Sequence, residues 1–307
     1  MNESESTILI KEVSSVNVHN EAINQISIFP SGNIISVSND CSIKIWDKNL
    51  NIIQIIILDK IVLCVSIKNE NTFSICSNEI QIWQKRNMEQ FKCIEKIKDI
   101  QNGFINFILY CPNNDIIVCS CHFWITIYSF TKKKNIHQSS TTLIQKSIDA
   151  FLYLGKEKYL ICAGREGLSF LNYITFEKIK FLKDAKCFGN NSLCRLNKDE
   201  ILCGGTIDCV IKVISISEKK IIHKINNQFF CYGLCALNHK NIFFCCGESN
   251  VIKIYNCDNY QLVGKINNTH YEKIKGLYRI DENLICSIYF DKVMKIFRII
   301  QSINNIN

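Results

Sequence analysis

Ile43-Lys44-Ile45-Trp46 is the stretch by which the whole chain can be ordered. A polar residue stands between two apolar ones and a large residue follows. This period of two argues for a strand over a helix. The same shape returns as Ile80-Gln81-Ile82-Trp83, Ile125-Thr126-Ile127-Tyr128, Leu168-Ser169-Phe170-Leu171 and Ile211-Lys212-Val213-Ile214. Ile252-Lys253-Ile254-Tyr255 and Met294-Lys295-Ile296-Phe297 complete the set. The closing residues fall at 46, 83, 128, 171, 214, 255 and 297, in steps of 37, 45, 43, 43, 41 and 42. Self-similarity at such a period is the mark of a repeat architecture.

Each unit carries a second landmark. Pro30 stands 16 residues before Trp46, and Pro112 stands 16 before Tyr128. Gly155, Lys198, His239 and Asp281 occupy that offset in later units, always in a polar break between apolar runs. These breaks read as turns. A unit is therefore strand, turn, strand, tight turn, strand, loop, strand, at about 22–28, 33–38, 42–47 and 51–57 in the first. A four-stranded sheet repeated seven times cannot bury both faces alone, whereas radial stacking into a propeller buries them. Ten residues follow Phe297, too few for a loop and a fourth strand, while Thr7–Val13 is an orphan strand. The sequence thus predicts an all-β, seven-bladed propeller, one domain over residues 1–307, closed by residues 7–13 pairing with the last blade.

The first unit places His19 before Phe29-Pro30-Ser31-Gly32-Asn33, Ser36-Val37-Ser38-Asn39-Asp40 and Ile43-Lys44-Ile45-Trp46-Asp47. In these residues the chain resembles the WD40 repeat family. The resemblance covers residues 7–297 and implies a hydrogen-bonded tetrad of His19, Ser38, Asp40 and Trp46. A buried carboxylate needs such partners. Other units keep less of the pattern. Unit two retains Trp83 without the turn aspartate, unit five Thr206 and Asp208, and unit seven His270, Asp291 and Phe297. His122, Arg165 and Ser249 stand near the aspartate position of units three, four and six. Those units must be held mainly by packing.

Composition excludes several classes. With 307 residues, 47% hydrophobic and 21% charged, the chain has ample material for a core. The run Ile52–Leu58 is far too short to span a membrane, and the polar start Met1–Glu5 is no secretory signal. A cytoplasmic location is expected, with a nuclear one open. None of the 18 cysteines forms a C-x-x-C pair. In a reducing compartment they read as small buried hydrophobes. Cys119, Cys121 and His122 could converge, but a fourth metal ligand is missing. The matches to N-x-S/T at Asn2, Asn190 and Asn267 read as products of an Asn-rich chain.

No G-x-S-x-G, G-x-x-x-x-G-K-[ST] or G-x-G-x-x-G occurs, so no enzyme activity and no cofactor are expected. The net charge is +8. Lys48, Lys85, Arg86, Lys132–Lys134 and Lys219 fall in hairpins between third and fourth strands, which share one face of a propeller. They could form a phosphate-binding rim, or serve only solubility. Nucleic acid is not the expected partner.

The WD40 resemblance implies peptide binding on the opposite face, built from loops entering the first strands and turns between the second and third. Phe123, Arg165, Glu248 and Phe290 lie in those turns and Tyr271 in an entering loop; these five are the candidate partner-binding residues. Exposed aromatics beside charges are typical of binding hot spots. The expected role is a non-catalytic scaffold or adaptor for another protein. The alternatives are a ubiquitin-pathway adaptor, acting by ubiquitin binding or ligase substrate recognition, and a binder of phosphate-rich surfaces.

Overall fold

The computed structural model describes residues 7–87, 89–98, 105–121, 124–140, 148–187, 189, 191–204, 208–267 and 272–302. The first strand, β1 (Thr7–Asn17), leaves its sequence neighbours and joins the far end of the chain. Blade 1 then consists of β2 (Ile23–Ile28), β3 (Ile34–Ser38), β4 (Ser42–Trp46) and β5 (Ile52–Ile57). Blade 2 has β6 (Cys64–Asn69), β7 (Thr72–Cys76), β8 (Ile80–Gln84) and β9 (Lys92–Ile97). Blade 3 has β10 (Ile105–Cys111), β11 (Ile116–Cys121), β12 (Trp124–Ser129) and β13 (Lys134–Ser140). Blade 4 has β14 (Ala150–Leu154), β15 (Tyr159–Gly164), β16 (Gly167–Asn172) and β17 (Lys178–Leu182). Blade 5 has β18 (Leu193–Arg195), β19 (Glu200–Cys203), β20 (Val210–Ser215) and β21 (Lys220–Asn226). Blade 6 has β22 (Cys231–Leu237), β23 (Ile242–Gly247), β24 (Ile252–Asn256) and β25 (Leu262–Ile266). Blade 7 has β26 (Ile274–Arg279), β27 (Leu284–Tyr289) and β28 (Val293–Ser302), and takes β1 as its fourth strand.

Each blade is an antiparallel meander. The innermost strands β2, β6, β10, β14, β18, β22 and β26 touch in that order, and β26 touches β2 again, which closes the ring. β1 pairs with β28 from Thr7↔Ser302 to Asn17↔Val293, four residues further than the orphan strand read from the sequence. The turns also match the expected offset: Pro112 opens a short 3-10 helix, and His239 lies in another.

Seven apolar clusters fill the spaces between neighbouring blades, one per interface. All seven repeat-closing residues, Trp46, Trp83, Tyr128, Leu171, Ile214, Tyr255 and Phe297, are buried. Every one of them also sits at a bulge against the outermost strand. A bulge sharpens the local twist, so the bulky anchor marks where each outer strand turns across the blade. Seventeen described cysteines are unpaired thiols, and 13 of these are buried in the sheets.

The polar residue between the two apolar ones is not turned to water. Lys44, Lys212 and Lys253 are largely buried at this position and reach past the sheet for an oxygen. Lys44 Nζ donates to the Val18 carbonyl at 2.8 Å, Lys212 pairs with Asp208, and Lys253 donates to the Asn227 carbonyl. Lys295 pairs with Glu12 of β1 at 2.9 Å, which ties the closing strand. Thr126 and Ser169 are too short to do the same, and their hydroxyls are buried without a hydrogen bond. Blades 3 and 4 therefore lack this tie and rest more on packing, as their motifs suggest.

Candidate functional site

The tight turn between β3 and β4 brings Asp40 under the entering loop that carries His19. His19 Nδ1 lies 2.9 Å from Asp40 Oδ2, and Nε2 lies 2.8 Å from Ser36 Oγ. Trp46 Nε1 donates to the same Ser36 Oγ at 2.9 Å. A carboxylate only accepts, so Nδ1 carries the proton and Nε2 accepts from the serine hydroxyl. Ser42 Oγ, the Asn20 backbone N–H and the Ser42 backbone N–H also donate to the aspartate, at 2.6, 2.9 and 3.0 Å.

Three of the four residues expected in the tetrad are joined in this way, and the serine is corrected. Ser36, not Ser38, links histidine to indole. Both point to the same side of β3, but Ser36 is one alternation nearer Ile34, the partner of Trp46 across the sheet. Ser38 sits at the turn end, where its hydroxyl donates to the Ala22 carbonyl and accepts from the Asp40 N–H. Other blades use substitutes. Trp83 donates to Gln81, Tyr128 to Glu95, and Tyr255 to Asn227.

Burial by itself raises the Asp40 pKa, but hydrogen bonds from Ser42, Asn20 and His19 outweigh it and hold it down at about 2. Burial lowers that of His19 and keeps the ring neutral. The aspartate's contribution is therefore complete above its unfolded pKa of roughly 4 and vanishes as pH falls toward 2. Protonation of His19 in the unfolded chain removes further stability as pH falls below about 6.5. Asp40→Ala is expected to cost on the order of 1–3 kcal/mol at neutral pH. That deficit should shrink as pH falls below about 4, where the wild type loses the same carboxylate. Urea melts at pH 7 and pH 3 test this, and a deficit within ~0.3 kcal/mol at pH 7 would contradict the network.

On the same face, the axis of the ring opens into a cavity of about 460 Å³. It is lined by residues of the inner strands and their approaches, Asn24, Leu63, Asn106, Asp149, Asn191, Tyr232 and Lys275 among them. In blades 1, 3, 6 and 7 the inner strand bulges directly after its first residue. The extra residues are Asn24, Asn106, Tyr232 and Lys275, all of which line the cavity. Dropped from the ladder, they are aimed at the axis instead of into a blade interface.

The wall toward blades 5, 6 and 7 is closed by Asn191. Its backbone carbonyl accepts from Leu234 at 2.9 Å, and its side-chain oxygen accepts from the Leu277 N–H at 2.7 Å. Gly233 makes room for this crossing, since a Cβ there would stand 3.0 Å from Asn191 Oδ1 and 2.9 Å from the Leu277 nitrogen. Neighbouring inner strands are stitched similarly elsewhere: Gln25 accepts from the Val65 N–H at 3.0 Å, and Ser66 from the Tyr110 N–H at 2.8 Å. The cavity is thus a rigid, preformed feature.

Phe290, in the turn from β27 to β28, is 44% exposed at the cavity rim. Its neighbour Tyr289 turns inward and is fully buried between blades 6 and 7. Glu248 reaches the same rim through an ion pair with Lys273 at 2.6 Å, and Tyr232 lies beside them. Arg165 is exposed in the turn of blade 4, outside the cavity lining. Phe123 and Tyr271 lie outside the described residues. Sequence reasoning missed Lys275, Asn24 and Asn106, because a strand bulge leaves no periodic trace, and also Asp149 and Asn191, which lie just before their inner strands.

The basic hairpins lie on the opposite face. Lys85 stands over the Phe91 ring and Lys219 over Tyr159, while Lys220 pairs with Glu218. Among the described residues, no group of three or more His, Cys, Asp or Glu side chains could hold a metal ion. The Cys119, Cys121 and His122 set includes a position outside them. No helix among these residues is long and apolar enough to cross a membrane.

No curated protein matches the chain. Residues 10–47 match the WD40 family, described as WD domain, G-beta repeat. That segment runs from the closing strand through the His19–Asp40–Trp46 network, and six further blades repeat its plan. The chain folds as a seven-bladed β-propeller whose first blade matches the WD40 repeat.

Proposed function

We propose that this propeller is a non-catalytic platform that holds a protein or peptide on the face carrying the axial cavity. The observation that carries the reading is the cavity itself: preformed, lined by apolar surface with polar groups set into it, and bordered by the exposed ring of Phe290. Its size lies within the range of small-ligand and side-chain pockets. A site already shaped by inter-blade hydrogen bonds binds with little ordering cost. Phe290, Glu248 and Tyr232 form one side of the surface, and Arg165, Phe123 and Tyr271 are assigned to it from their places in the repeat. The opposite face is less suited to a phosphate-rich partner at Lys85, Lys219 and Lys220, which are engaged with aromatic rings or an acidic side chain.

The test is affinity capture with mass spectrometry, wild type beside a Phe123→Ala/Arg165→Ala/Phe290→Ala variant. Partners lost from the variant support this face, and ubiquitin or ligase subunits among them would identify an adaptor of that pathway. An unchanged partner list overturns the reading. It would move the site to the hairpin face or to the outer edge of blade 1, where Ile53, Ile55 and Ile57 are exposed.

A further inference from the structure

Lys275 is a partly buried ammonium group in the lining of the axial cavity. The bulge of β26 turns it to the axis, half-buried. Its Nζ donates to the Ile23 carbonyl at 2.8 Å and to Asn24 Oδ1 at 3.3 Å, both uncharged oxygens. Among the described residues no carboxylate pairs with it. The other lysine at the mouth, Lys273, already has Glu248. The Phe290 ring lies 5.5 Å from the Lys275 nitrogen and shields one side from water.

We propose that the cavity takes a carboxylate of a bound peptide, either an Asp or Glu side chain or a C-terminal carboxylate, with Lys275 as its anchor. The inference rests on the assignment of this face as the recognition surface. An ammonium carries three donors, and two are used on neutral oxygens, so one remains for an anion. Burial alone holds the pKa of Lys275 down at about 8, so the group is charged at neutral pH but poorly compensated. A charge-assisted hydrogen bond from such a group is among the stronger polar contacts available. The Tyr232 phenol, kept neutral by burial, offers a second donor in the same cavity. Leu63, Tyr278 and Phe290 supply apolar wall for the carbon chain that carries the acid.

The same inventory favours a carboxylate over a phosphate. Lys275 is the only lysine or arginine of the lining without a carboxylate partner among the described residues, and Asp149 stands in the cavity on blade 4, across the ring from blade 7. A dianion would meet one compensating cation and one repelling carboxylate, whereas a monoanion is matched by the lysine alone.

The experiment is affinity selection by the full chain from synthetic random hexapeptide libraries, read by mass-spectrometric sequencing. Four libraries combine a free or amidated C-terminus with Asp and Glu present or replaced by Asn and Gln, and a fifth contains phosphoserine. Enrichment confined to the libraries that carry a carboxylate is expected, and the two variables separate its sources. Lys275→Met should reduce that enrichment by about tenfold or more. Tyr232→Phe should reduce it less, and Lys48→Ala, exposed on the hairpin face, should leave it intact. Lys275→Gln serves in place of Lys275→Met if the latter melts well below wild type. Equal enrichment from the carboxylate-free library, preference for phosphoserine, no enrichment at all, or indifference to both Lys275 variants would each overturn the proposal. Peptides selected without a carboxylate but lost on Phe290→Ala would overturn it while leaving the recognition face standing. Failure of the face itself appears separately, as partner capture insensitive to the turn variants.

Discussion

Deleting residues 1–13 is expected to cost on the order of 5 kcal/mol, much of the stability of an ordinary domain. The truncation removes the paired stretch Thr7–Glu12 and leaves the edge of β28 open. Ile8 and Ile10 lose their packing against the core between blades 6 and 7, and Lys295 loses Glu12. A ring held by neighbour contacts is weakened as a whole when one blade loses its outer strand. Deleting residues 1–6 alone leaves β1 intact and is the control. Thermal melts of the three chains decide the matter: the shorter deletion should melt like the full chain and the longer one far below it. Equal melting of all three would refute the closure.

Gly247→Ala is the second change with a large effect, about 3 kcal/mol or more. Gly247 ends β23 opposite Cys231. A Cβ built there would lie 1.6 Å from the Phe230 carbonyl oxygen, which accepts the Glu248 N–H. The obstacle is backbone, so no rotamer relieves it. The entering loop of blade 6 must move, and Glu248 with it. Gly264→Ala is the matched control, since its Cβ would meet only the side chain of Ile254 at 3.2 Å. Denaturant melts should show a large loss for the first and a small one for the second. Similar small losses would mean that the loop is not held as described.

The plan of the molecule was open to reading because burial between sheets demands a bulky residue at one place in every blade. Trp46, Trp83 and Tyr128 announce it, and even Leu171 and Ile214 keep the spacing. The ends were legible for a similar reason, since an unpaired strand and a missing one imply each other. Finer polar detail was not. Ser36 and Ser38 face the same way, and only their distance along the strand from Trp46 separates the linking serine from the turn serine. Phe290 and Tyr289 are neighbours at the end of one strand, and alternation sends one to the rim and the other to the core. The cavity was hidden most fully. Asn24, Asn106, Tyr232 and Lys275 reach the axis through bulges, which break the periodicity on which sequence reading depends.

The proposed function places partners over the axial cavity. A photo-crosslinking benzophenone side chain placed at position 290 of the full chain, and separately at position 48 on the hairpin face, tests it most directly in cell extract. A discrete crosslinked partner is expected from position 290 and none from position 48. A partner captured from position 48 but not from position 290 would contradict it.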